Sequence, residues 1–239
     1  MSEAAEPDVE SSSEGYARRF AGRAGQMFLE RQEHCVAAAL ADKRTVRILD
    51  VGGGHAQLAS PLAELGHAVT VTGSDAACSA RLTLEPRGGG VTFLKAPLAA
   101  LPLADRSFDT VVSIRTMAHV ADWRSFLGEM CRVAERTVVI DYPDLVSVNA
   151  LSLVTYPLKR RIEGDTRRFR ILRRAEIESV LRANGFAETW RSGQMVLPMA
   201  LHRAAHGAAP LRWVESAAQR IGLARRCGNP AILRADRVD

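Results

Sequence analysis

Two carboxylates, three consecutive glycines and a histidine stand close together in the first third of the chain: Asp50, Gly52, Gly53, Gly54, His55 and Asp75. The glycines follow an apolar run in ILDVGGGHAQLA (48–59). Glycine has no Cβ, so a ligand can lie against bare backbone there. A helix starting near His55 would add free N–H groups that suit a carboxylate. Two phosphate-binding patterns fail on inspection. The dinucleotide pattern G-x-G-x-x-G is met at Gly52 and Gly54, but Gln57 stands where the third glycine belongs. The P-loop fails because no Gly-Lys-Ser/Thr follows. What remains is an acid at a strand end, a glycine turn and a helix start: a small-ligand cradle.

These residues need elements to hold them. From Tyr16 to Ala41 apolar residues recur at helical spacing (Met27, Phe28, Cys35, Val36, Leu40), which predicts one or two helices broken at Gly22 and Gly25. Strands are predicted in 45–52, 67–75, 91–96, 107–116 and 136–143, the last stopped by Pro143. A sixth is predicted in 188–202 and a final one in 229–238. Helices are predicted over 61–66, 124–134, 173–186 and 209–223, with Gly66 and Gly185 as C-terminal signals. Strands alternating with helices mean βαβ units, a parallel sheet and an α/β fold. An open sheet of that kind binds ligands at the carboxyl ends of its strands, where Asp50–Gly54 sits.

The chain has 239 residues, enough for one domain with a continuous core. Hydrophobic residues make up 47%, an ordinary globular share. No run of about 18 apolar residues suggests a membrane span. The acidic, serine-rich start (1–15) reads as a disordered, solvated tail without a signal pattern, so a soluble cytoplasmic protein is expected. The four cysteines are too widely spaced for a zinc site or a disulfide framework, and no metal is expected. Net charge is a mild +5. The basic stretch 159–174 contains one aromatic, Phe169, whereas a single-strand nucleic-acid channel would interleave several. A solvated basic face is the favoured reading, with attraction of an anionic substrate as the minority one.

ILDVGGG, the acid of VTGSD, ALPLADRSFDTVVS, AHVADW and RAEIESVLRANGF, in that order and spacing, resemble a class I S-adenosylmethionine-dependent methyltransferase. The resemblance covers about residues 45–190 and is nearest the small-molecule branch. It implies a Rossmann-like doubly wound sheet, mostly parallel with an antiparallel last strand and helices on both faces. It implies S-adenosylmethionine as cofactor and S-adenosylhomocysteine as product. Asp50 would anchor the methionine end, Asp75 the ribose hydroxyls, with Gly52, Gly53, Gly54, Ala76, Ile114 and Arg115 around the ligand. A carboxylate accepting from both ribose hydroxyls makes charge-assisted bonds, the stronger kind.

The chain departs from that family in places. The acid expected after the third strand, on adenine, is replaced by Ala96 and then Pro97, which has no N–H; adenine recognition falls to groups such as the N–H of Leu98. The usual Gly-Gly before the fifth strand is absent from RVAERTVVI. His55 either fills the loop or touches the cofactor's carboxylate.

Methyl transfer from a sulfonium is an in-line displacement that needs positioning more than a fixed catalytic motif. SIRT (113–116) ends the fourth strand where nucleobase methylases carry a DPPY-like motif, which disfavours base methylation; DYPD (141–144) follows the fifth strand, the wrong place. Arg115 lies under the cofactor or at the acceptor mouth. His119 is a candidate general base, with cofactor-side packing the alternative. Tyr16 and Phe20, four apart on one helical face, would either close a lid formed by residues 16–41 or pack that helix on the domain. Near 145–172 the family inserts substrate-side segments, and Leu151, Leu153, Val154 and Tyr156 could line an acceptor pocket or pack in a core. The reading is thus a single domain (16–239) methylating a small molecule, with no nucleic-acid or membrane partner and the oligomeric state open. A non-catalytic cofactor-binding protein of the same fold is the second reading, and an NAD-linked oxidoreductase a distant third.

Overall fold

β1 (Arg47–Val51) reads RILDV and is buried from its second residue onward, as expected of a strand covered on both faces. The computed structural model describes residues 6–44, 46–82, 91–145 and 169–238, and the elements below lie within them. β2 (Ala68–Gly73), β3 (Val91–Lys95), β4 (Phe108–Ser113), β5 (Ala134–Tyr142), β6 (Phe186–Met195) and β7 (Asn229–Arg237) complete one seven-stranded sheet in the order β3-β2-β1-β4-β5-β7-β6. β1 to β5 pair in parallel. β7 runs antiparallel to both β5 and β6, between which it is inserted. This is the doubly wound sheet with a reversed last strand.

Alternation places the core. Ile48 packs into an apolar cluster on one face, with Leu58, Leu62, Val69 and Val71; its neighbour Leu49 packs into the opposite cluster, with Trp123, Phe126 and Leu127. The helices supplying these faces are α3 (Gly22–Ala39) and α4 (Ala59–Glu64) on one side, α5 (Trp123–Val133) and α6 (Arg174–Ala183) on the other. Asp122 caps α5 by accepting from the Ser125 N–H at 3.2 Å. Pro143 follows the last residue of β5, and Gly185 (φ +78°) follows α6, as the sequence predicts.

Four expectations need correction. The acidic start is not a solvated tail from residue 7 onward: it folds as α1 (Pro7–Ser11) and α2 (Glu14–Arg18), with Asp8 and Ser11 buried. Pro7 opens α1 at the position where its missing N–H is harmless. Strand six ends at Met195, because Pro198 cannot extend a ladder; α7 (Met199–Ala204) starts there instead. The helix expected over 209–223 stops earlier, as α8 (Ala209–Arg220); Gly222 (φ +75°) turns the chain into a short α9 (Leu223–Cys227). Gly25 does not break a helix but lies inside α3.

Gly25 has a packing reason. A Cβ there would stand 2.1 Å from the Phe20 carbonyl oxygen, so only glycine lets the turn carrying Phe20 lie on α3. Gly25→Ala normally gains about 1 kcal/mol of helix propensity. Here the clash with backbone wins, and the urea midpoint is expected to fall by the equivalent of about 1–3 kcal/mol; a raised midpoint would show that the Phe20 turn packs elsewhere.

Among the described residues, no helix is long and apolar enough to cross a membrane, and no group of three metal-binding side chains occurs. The apolar residues Leu151, Leu153, Val154 and Tyr156 and most of the basic stretch lie outside the described residues.

Candidate functional site

The carboxyl ends of β1, β2 and β4 hold the glycine loop and the two acids. Gly52 takes φ +75° and its N–H donates to Thr72 O at 3.0 Å, which ties the loop to β2. A Cβ on Gly53 would lie 2.0 Å from Asp50 Oδ2; this glycine lets the carboxylate fold beneath the loop. Asp50 is fully buried, and neither of its oxygens has a hydrogen-bond partner among the described residues. Burial pushes its pKa up to about 7. An unmatched buried acceptor is costly to leave unpaired, so the position is built for something it does not receive from the chain.

Gly54 is covered by the chain itself. Its Cβ would meet Ser12 Oγ at 2.3 Å and Cys78 O at 2.7 Å. Ser12 follows α1, and α1 is fastened beside the loop by Asp8. The Ser74 N–H and hydroxyl donate to Asp8 Oδ2 and Oδ1 at 2.6 Å each, and the Cys78 thiol adds a longer contact of 3.5 Å.

His55 is hydrogen-bonded within the loop. Its Nδ1 accepts from the Gln57 N–H at 3.1 Å, which leaves Nε2 to donate to Ile114 O at 3.1 Å. Both nitrogens are spent in tying the loop to the β4 tip, and burial lowers the ring's pKa to about 4. Gln57, in the place of the missing third glycine, thus helps to fix the tautomer. Asp75 is exposed and caps the 3-10 turn Ala76–Ser79, with Oδ1 accepting from the Ala77 N–H at 2.8 Å and Oδ2 lying 3.6 Å from Lys95 Nζ. The Ala77 N–H and, to a lesser degree, Lys95 hold its pKa below the ordinary value. Ala96 donates its N–H to Gly73 O at 2.9 Å; Ala96 and Leu98 are buried, and Pro97 is exposed.

A second polar group sits past β4. Arg115 takes φ +63°, an uncommon conformation for a residue with a side chain. Its N–H donates to Asp141 Oδ1 at 2.6 Å, its Nε donates to Gln32 Oε1 at 2.5 Å, and its guanidinium lies 4.6 Å over the Phe20 ring. Burial raises Asp141 to about 6, against the opposing pull of Arg115. Tyr16 packs on Phe20 at 5.4 Å between ring centroids, and both join Ala24, Phe28 and Met195 in a small apolar cluster. His119 is half-buried in the 3-10 turn Met117–His119, directly after this group.

The fold therefore gathers Asp50, Gly52–Gly54, His55 and Ile114 at one point, Asp75, Ala76 and Ala96–Leu98 at the neighbouring β2 and β3 tips, and Arg115, Tyr16 and Phe20 on the β5 side. Sequence reasoning missed Asp8, Ser12, Gln32 and Asp141.

The family model described as a methyltransferase domain matches residues 49–139, from β1 through most of β5. Over those residues the chain is similar to a methyltransferase domain. Among curated relatives, the demethylmenaquinone methyltransferase of Thermus thermophilus is 38% identical over 109 residues, 43% of this chain and 50% of that protein. A ubiquinone biosynthesis O-methyltransferase of Azorhizobium caulinodans is 29% identical over 172 residues, 68% of this chain and 67% of that one. The chain spans half the length of the first of these and only about a third of another, from Dinoroseobacter shibae. Among solved structures, magnesium protoporphyrin IX methyltransferase from Synechocystis, with bound S-adenosylhomocysteine, shares the fold at TM-score 0.62 and 18% identity, over 95% of each chain. A possible histamine N-methyltransferase from Thermotoga maritima does so at 0.63 and 16%, over 98% of this chain and 99% of that one.

Proposed function

We propose that this protein is an S-adenosylmethionine-dependent methyltransferase acting on a small organic molecule. The observation that carries the reading is Asp50: a buried carboxylate without a partner among the described residues, at the tip of β1 and beneath a glycine loop. S-adenosylmethionine carries an ammonium group that would satisfy it. The residues present fit that cofactor, with Asp50 for the methionine end and Asp75, one strand over, for the ribose hydroxyls. Ala96 and Leu98 would flank the adenine, apolar contact standing in for the absent acid.

When bound, the cofactor supplies an electrophilic methyl group and departs as S-adenosylhomocysteine. The chain's residues then have three tasks. Asp50 and Asp75 hold the ligand's two ends, so the methyl direction is fixed; such positioning is worth roughly 7–11 kcal/mol of barrier. Tyr16 and Phe20, in and just after α2, form a lid that excludes water. His119 is the candidate base where the acceptor is a hydroxyl. We extend the proposal to the absence of a nucleic-acid partner, on the mild net charge and an aromatic content of 5%.

Thermal unfolding tests the reading. Saturation at about 100 times the dissociation constant adds roughly 2.7 kcal/mol to stability. S-adenosylmethionine and S-adenosylhomocysteine are expected to raise the melting temperature, NAD is not, and Asp75→Ala should remove most of the shift. A response to NAD, or an undiminished response in the variant, contradicts the assignment. Methylated product from a panel of phenols, quinols and amines then separates turnover from binding alone.

A further inference from the structure

The unmatched groups past β4 are opposite in kind to Asp50. Arg115 Nη2 and Gln32 Nε2 are both buried without a partner among the described residues, and both are donors. Arg115 Nε can only donate, so its 2.5 Å contact fixes the Gln32 amide oxygen toward it and turns the amide nitrogen away. Gln32 is fully buried on α3. It carries no charge, so it orients the guanidinium without neutralising it. Phe20 covers one face of that guanidinium at 4.6 Å and leaves its edge for hydrogen bonding. Asp141 is the carboxylate that meets Arg115, and the oxygen that bonds takes the backbone N–H.

Position separates this group from the cofactor cradle. The cradle is formed at the tips of β1 and β2. Arg115 is tied to β5 through Asp141, to α3 through Gln32 and to the N-terminal segment through Phe20, on the other side of β4 in the strand order. We infer that Arg115 and Gln32 receive a carboxylate of the methyl acceptor. An arginine edge is suited to that geometry, and an oriented guanidinium loses little freedom on binding. The acceptor class is therefore an organic anion. The inference rests on the proposed methyl transfer.

The test is calorimetric titration of 3,4-dihydroxybenzoate and its uncharged methyl ester, with and without S-adenosylhomocysteine present. The acid is expected to bind about 10- to 100-fold more tightly than the ester, the worth of one buried charge-assisted contact. Arg115→Met and Gln32→Leu should abolish the difference, and Arg115→Lys should restore part of it. No binding of the acid at millimolar concentration, or equal binding of acid and ester, overturns the inference. The other source of a carboxylate is the cofactor itself. If Arg115→Met weakens S-adenosylhomocysteine by the same factor but leaves 5′-methylthioadenosine, which lacks the amino-acid end, Arg115 serves the cofactor and the acceptor assignment is wrong. Loss of S-adenosylhomocysteine binding by the wild-type protein would instead remove the proposed function, independently of the acid–ester comparison.

Discussion

Asp50→Asn is expected to make the ligand-free protein more stable at pH 8 and to abolish its response to S-adenosylhomocysteine. The unfolded chain holds Asp50 near its ordinary pKa of 3.8, whereas burial raises the folded value to about 7. Between those values the folded state keeps a proton that the unfolded state has released. Stability therefore falls as pH rises from about 4 to about 7, and the loss is complete above that. A gap of roughly three pKa units corresponds to at most about 4 kcal/mol. The asparagine amide is also left without partners, a penalty of about 1–3 kcal/mol, so a net gain of about 1–3 kcal/mol remains. For a chain of this size that is several degrees of melting temperature. Pairing with an ammonium requires the ionised carboxylate. Wild-type affinity for S-adenosylhomocysteine should thus climb up to about tenfold per pH unit and level off above about pH 7. Asp141, raised to about 6 by burial, titrates in a neighbouring window, so the comparison of wild type with variant isolates Asp50. A variant that melts lower and still binds would remove the reason for regarding Asp50 as a ligand site.

Asp8→Ala is expected to tighten S-adenosylhomocysteine binding. α1 is held by two hydrogen bonds of 2.6 Å to the buried Asp8 carboxylate, and Ser12 occupies the close approach to Gly54. On the proposed reading, a ligand that lies against Gly54 must displace Ser12. Hydrogen bonds to a charged group contribute about 1.5–3 kcal/mol. Removing the carboxylate releases α1, and apparent affinity should rise about 10- to 100-fold, with faster association in stopped-flow measurements. A variant that binds more weakly would mean that α1 belongs to the closed cradle rather than standing in its way.

The strands around the site were legible because buried parallel strands read as short apolar runs, as in RILDV and FDTVVS. The glycine loop was legible for a different reason: its conformation and close contacts exclude side chains at Gly52, Gly53 and Gly54, which leaves a mark on the sequence. The position of β7 between β5 and β6 left no local mark, because pairing across about ninety residues is decided by the whole sheet. The missed polar residues fall between these cases. Gln32 shares one buried stripe of α3 with Phe28, Cys35 and Val36, and a glutamine in such a stripe is the signal that could have found it. Asp141 lies in the DYPD segment, which was weighed only as a catalytic motif. Asp8 was hidden by composition: an acidic, serine-rich start reads as solvated, and only Pro7 with acids in the next turn marks a helix.

On the proposed function, Asp50 faces a cation and Asp75 faces hydroxyls of the same ligand. A crystal structure of the protein grown with S-adenosylhomocysteine measures both contacts at once. The predicted result is the ammonium within hydrogen-bonding distance of Asp50, the ribose on Asp75, and Ser12 moved off Gly54. Density for the ligand elsewhere, or Asp50 still unpartnered beside an empty loop, would contradict it.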